Sequence, residues 1–133
     1  MALNPKTAVL ARNAALAYIV TNLGASGVCS WNDGTQPVDA DTARGAQVEG
    51  AALALSATAG TVSAGVLTFG TITSATASAA MSPCAWVSFR NSGTTRLHDG
   101  SAGVGTYNLS LNSATVGSGA TCSVSSASIT APA

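Results

Sequence analysis

Very little of this chain is charged: five Lys or Arg, five Asp or Glu and one His stand among 133 residues. That is 8% charge, against roughly a quarter in ordinary soluble domains. The formal net charge is zero, so there is no basic excess to neutralise phosphates, and nucleic-acid binding is excluded as an expectation. Aromatic residues are 5% of the chain, too few to suggest the aromatic-lined cleft in which a carboxylate pair would hydrolyse a glycoside. No uncharged apolar run reaches the length of a membrane-spanning helix, so no membrane partner is expected. At the N-terminus, Asn4-Pro5 precedes the apolar run and Arg12-Asn13 interrupts it, and no signal peptide is read there. The cysteines, Cys29, Cys84 and Cys122, are odd in number and far apart, without the close pairs of a zinc site. They read as buried small hydrophobes in a reducing compartment, with one disulfide plus one free thiol as the alternative.

The length fits one domain, residues 1–133, able to bury roughly two thirds of its unfolded surface. Val, Leu, Ile and Phe total only 26, and much of the 47% hydrophobic fraction is 27 alanines. The core is therefore thin and the exterior is Ser, Thr, Asn and Ala. A surface with so little charge does not oppose association, and both traits suggest a protein that completes its stabilisation by assembling with something.

Organisation changes once, near Gly24. Before it, Asn4 offers an N-cap and Pro5 a first helical residue. Leu16, Ile19, Val20 and Leu23 recur at helical spacing, and Gly24 supplies a stop. The spacing predicts a helix over about residues 5 to 22, its apolar stripe covering either its own sheet or a neighbouring molecule. From about 27 to 131 the pattern is β. "VCSWN" ends at the turn signal Asp33-Gly34. "QVEGAALALSAT" puts Leu53, Leu55 and Ala57 on one face, and "GVLTFGTITS" sets Leu67, Phe69 and Thr71 opposite Val66 and Thr68. "PCAWVSFR" alternates Ala85, Val87 and Phe89 against Trp86, Ser88 and Arg90, and "TTRLHDG" follows Asn91-Ser92-Gly93 as a hairpin partner. "TYNLSLN" places Tyr107, Leu109 and Leu111 in phase, while a phase slip near Ser125-Ser126 predicts a β-bulge. Residues 73–82 read as a connection or edge strand. Seven or eight short strands with one N-terminal α-helix indicate a mainly β fold, an antiparallel β-sandwich or jelly roll.

Chemistry-bearing residues concentrate in "WNDGTQPVDADTARG", Trp31 to Gly45, which holds Asp33, Asp39, Asp41 and Arg44. Its aspartates lack the glycine position and the final bidentate glutamate of a calcium loop, so no metal is expected. His98 is followed by Asp99, but strand neighbours point to opposite faces, so this Asp is badly placed to orient the ring for catalysis. "GSAGVG" lies between strands and does not match a phosphate-cradling fingerprint. No catalytic residue or cofactor is assigned, and the chain is not expected to be an enzyme. The segment reads instead as a rigid, exposed loop: Asp33-Gly34 ends a strand, Pro37 stiffens the chain, Asp41 caps a turn at Thr42 and Ala43, and Arg44 pairs locally with Asp39 or Asp41.

"GTQPVDADTA", then "GAALALSATA", "WVSFRNSGTTRLHDGSAG" and a final "SITAPA" resemble the small capsid cement, or decoration, proteins of tailed bacteriophages, of the type found in short-tailed Bordetella phages. The resemblance implies a jelly-roll sandwich on the outside of an icosahedral shell, a homodimer or trimer that clamps adjacent capsomers of the major capsid protein without catalysis. Independently of it, the contact residues inferred from the sequence are Asn32, Asp33, Gln36, Pro37, Asp39, Asp41 and Arg44 in the loop, and Leu16 and Val20 on the helix. The alternative is a receptor- or carbohydrate-binding module of a head or tail fibre, with Trp31, Trp86 and Tyr107 available to stack on sugars.

Overall fold

The computed structural model describes residues 7–103 and 109–131. Helix α1 spans Val9–Leu23, shorter at its start than the sequence predicts. Ala8 occupies the N-cap position without a side-chain cap, while Asn4 and Pro5 lie outside the described residues. Gly24, at φ +68°, ends the helix, and its N–H donates to the Val20 carbonyl, a left-handed stop that glycine adopts without a Cβ penalty.

Helical periodicity puts Leu16, Ile19, Val20 and Leu23 on one face, and that face packs on the chain's own sheet. Leu16 and Leu23 are each 2% exposed, with Ile19 and Val20 part-buried against the same core. The expectation that Leu16 and Val20 meet a partner is therefore corrected: their stripe is consumed inside the molecule. The opposite face carries Leu10 at 83% exposure and Tyr18 at 64%, separated by exposed alanines.

Ten strands follow among the described residues: β1 (Val28–Asn32), β2 (Glu49–Ala54), β3 (Gly60–Ser63), β4 (Val66–Phe69), β5 (Ala75–Thr76), β6 (Trp86–Arg90), β7 (Arg96–Gly103), β8 (Leu109–Leu111), β9 (Thr121–Cys122) and β10 (Val124–Thr130). The fold is mainly β with one described α-helix. Strand β3 exceeds the sequence reading; β5 falls in the segment expected to be a connection or edge strand, and β9 opens the β-patterned stretch that carries the Ser125-Ser126 slip. Eight strands form one sheet in the order β2-β1-β6-β7-β8-β10-β4-β3. The sheet is mixed rather than purely antiparallel. Beyond Ser101, β7 outruns β6, and its last residues Ala102 and Gly103 pair parallel with Leu109 and Ser110 of β8.

The sheet curls. Phe69 of β4 stacks on Phe89 of β6 with ring centroids 4.2 Å apart, although β7, β8 and β10 separate those strands in the sheet order. Just beyond β2, Leu55 bridges Ile72. The enclosed side holds Cys29, Trp31, Leu53, Leu67, Val87, Phe89, Leu109 and Ile129, all buried, with α1 packed against β3, β4 and β7. The two tryptophans, Trp31 and Trp86, are almost fully buried, so neither offers a ring face to a sugar; Tyr107 lies outside the described residues.

Three register shifts interrupt the ladders. One falls between Val124 and Ser126 in β10, where the phase slip predicts a bulge. A second makes Asn32 face Glu49 after Trp31 faces Ala51, leaving Gly50 as the extra residue. A third makes Arg90 face Arg96 after Phe89 faces His98, leaving Leu97 extra. Gly50 has a second role: a Cβ there would come within 2.5 Å of the Met81 side chain, which fills the space that the missing Cβ leaves.

Candidate functional site

In β1 and β6, Cys29, Trp31, Val87 and Phe89 face the core, so Ser30, Asn32, Trp86, Ser88 and Arg90 face the other way. The second and third register shifts turn Glu49 and Arg96 onto this same polar side. A bulge re-aims side chains in this way. Over the polar side folds the segment between β1 and β2, residues 33–48. Between it, the sheet and the β6–β7 turn lies a cleft of about 500 Å³.

The loop is tied down along its length. Asp33 accepts from the Val48 N–H through Oδ1 at 2.7 Å, and its carbonyl accepts from Trp86 Nε1 at 3.0 Å. Asp39 Oδ1 accepts from both the N–H and the hydroxyl of Thr42 at 2.7 Å. These bonds from Thr42 hold the Asp39 carboxyl below its ordinary value. The turn cap is thus Asp39, not Asp41 as the sequence suggests; Asp39 stands three residues before its N–H donor, the spacing its short side chain can reach. Arg96 reaches from β7 to donate through Nη2 to the carbonyls of Asp39 at 2.9 Å and Thr42 at 2.6 Å. Its guanidinium sits 5.6 Å from the centre of the Trp86 ring and 3.0 Å from Asp99.

Arg44 does not pair with Asp39 or Asp41, another correction. Its Nη1 donates to Asn32 Oδ1 at 2.9 Å and to Glu49 Oε2 at 3.2 Å. Arg90 approaches the same carboxylate from the other side, with Nη2 3.2 Å from Oε1, and the Ser30 hydroxyl also donates to it. Burial alone would raise the Glu49 carboxyl, but the bonds from Ser30 and Arg90 and the charges of Arg90 and Arg44 together hold it below its ordinary value. Asp99 is the converse: burial pushes its carboxyl up, and Arg96 and Ser88 only partly offset that.

Of the residues singled out by sequence, Asp33, Asp39 and Arg44 belong to this framework. Gln36 and Asp41 are exposed, Pro37 is half-buried, and between them Val38 stands 91% exposed. Asn32 is 0% exposed, because the loop closes over it; it is an internal bracket and not a contact residue. His98 and Asp99 lie on opposite sides of β7, opposite Phe89 and Ser88 respectively, and burial lowers the histidine's pKa. Glu49, Arg90 and Arg96 escaped the sequence reading, although the spacing of Arg90 and Arg96 across a turn signal marks a hairpin pair.

Three of the chain's four arginines thus converge on one cleft, held in place by two carboxylates and by backbone carbonyls. Such an array can bind and orient a polar or anionic group; among the described residues no cluster of three or more metal-ligating side chains occurs. No family model, no curated protein and no solved structure matches this chain.

Proposed function

We propose that the protein is a structural virion protein. It binds the outer surface of an icosahedral phage capsid and stabilises it by clamping adjacent capsomers of the major capsid protein non-covalently. The observation that carries this reading is large apolar side chains held in water on two different elements: Leu10 and Tyr18 on the outer face of α1, and Val38 at the tip of the anchored loop. Exposed apolar surface of this kind, on an exterior with little charge, suits protein contact. Two separate contact elements suit a clamp, because once one is bound the other acts at high effective concentration. The sequence resemblance points the same way and adds a homodimer and a jelly-roll sandwich to the proposal. The contact set now comprises Leu10, Tyr18, the loop residues 33–41 and Arg44, without Leu16, Val20 or Asn32.

Mass spectrometry of purified particles tests this directly. The protein is expected in a fixed stoichiometric ratio to the major capsid protein, on the outside of heads. Finding it only in tail or fibre fractions overturns the reading in favour of a receptor-binding module.

A further inference from the structure

The guanidiniums of the cleft are not fully used by the chain. Arg44 spends only Nη1, on Asn32 and Glu49, which leaves the N–H groups of Nε and Nη2. The Nε of Arg96 is buried and has no hydrogen-bond partner. A buried donor without an acceptor is costly, and a guanidinium presents its donors as a planar fork that matches a carboxylate. Arg90 already engages a carboxylate in that way, through Nε and Nη2 on Glu49.

The chain's other described acids do not fill this need. Asp33 is occupied by the Val48 N–H, Asp39 by Thr42 and Glu49 by its two arginines, and Asp99 meets Arg96 at Nη2, 3.0 Å away, leaving the arginine's Nε without a partner. Asp41 stays exposed at the cleft wall. The space of about 500 Å³ is large enough for a carboxylate on its stem, and Thr94 and Thr95 are among the residues that line it.

We propose that this cleft receives a carboxylate, supplied by an acidic side chain of the protein on which the molecule docks. The inference rests on the docking reading above. Arg44 is the most exposed of the three cations and makes the first contact. Glu49 and the Asp39 and Thr42 carbonyls hold the guanidiniums in place before the partner arrives, so that little ordering cost remains at binding.

The test is a titration of the full chain with sodium glutarate, following the arginine Nε–Hε resonances by NMR, with sodium chloride at matched ionic strength as the control. Saturable shifts of Arg44 and Arg96 are expected. Arg44→Gln weakens binding about tenfold, the loss of one charge-assisted contact. Asp41→Asn strengthens it about two- to threefold by removing a like charge from the wall. That opposite sign, in a variant at an exposed site, distinguishes ligand binding from mere unfolding. Shifts no larger than chloride produces overturn the proposal, as does tighter binding of sulfate than of glutarate. The partner assignment is tested on capsids. Arg44→Gln should lower occupancy, and normal occupancy with glutarate still bound overturns the assignment to the docking partner. If Leu10→Asp and Tyr18→Asp abolish docking while glutarate fails to bind, the cleft inference falls and the docking reading stands.

Discussion

Replacing Glu49 by Gln removes the charge on which the cleft framework turns. Its carboxylate meets Arg44 and Arg90 at 3.2 Å each, and the side-chain exposures are 24% for Glu49, 37% for Arg44 and 19% for Arg90. A fully exposed pair would contribute less than about 1 kcal/mol, whereas breaking a fully buried one costs about 3–5 kcal/mol. The partial exposure of this triad places the loss near 2 kcal/mol. At about 3 °C per kcal/mol for a domain of this size, Tm should fall by roughly 6 °C at neutral pH. The sign with pH follows from the carboxyl's depressed pKa. A group held lower in the folded than in the unfolded state stabilises above its unfolded pKa and loses that contribution as pH falls through the folded one. The gap between wild type and Glu49→Gln should therefore be full at pH 6–7 and shrink progressively below about pH 4.5. Thermal unfolding across that range, with Arg90→Gln and the double variant completing a cycle, measures the coupling. An unchanged Tm at pH 7, or additive single losses, would refute the account of Glu49 as the shared partner of two arginines.

Arg96→Ala releases the loop that its guanidinium holds at Asp39 and Thr42, and trypsin should then cut after Arg44 several times faster than in the wild type, as judged by mass of the fragments. Gly50→Ala drives a methyl into Met81 and should cost about 1–3 kcal/mol in urea unfolding, the usual cost of overpacking. The cysteines are free and buried, and burial pushes the Cys84 thiol up to about 12; a thiol reagent should leave all of them unmodified in the native protein and modify all three in denaturant. Leu10→Asp and Tyr18→Asp should leave stability within about 0.5 kcal/mol, since both side chains already stand in water.

Much of this architecture follows directly from alternation and turn chemistry. Val28–Asn32 is written as a strand by its own pattern and by the Asp-Gly after it. The hairpin around Asn91 and the bulge near Ser125 announce themselves in the same way. The helix stop at Gly24 is equally plain, but its start is not, because the described helix begins at Val9 with no capping side chain at Ala8. The cleft was hidden for a physical reason. Glu49 shares its phase with Leu53 and Leu55, and Arg96 shares its phase with His98, so strict alternation would turn both away from the polar side. Only the extra residues Gly50 and Leu97 rotate them onto it, and a one-residue slip is invisible unless the partner strand is known. Sequence proximity likewise favoured Asp39 and Asp41 as partners of Arg44, whereas the fold delivers Glu49 from the next strand.

The anchoring of the 33–48 loop has a consequence for how this molecule can change over time. Several of its ties are made by backbone atoms: the carbonyls of Asp33, Thr35, Asp39 and Thr42 accept from Trp86, Gln47 and Arg96. The side chains of Gln36 and Val38 make none of these ties. Residues at the tip can therefore be exchanged, or short peptides grafted there, while the scaffold keeps its shape; under the proposed docking role, the tip could be retuned to a different surface without the fold being renegotiated.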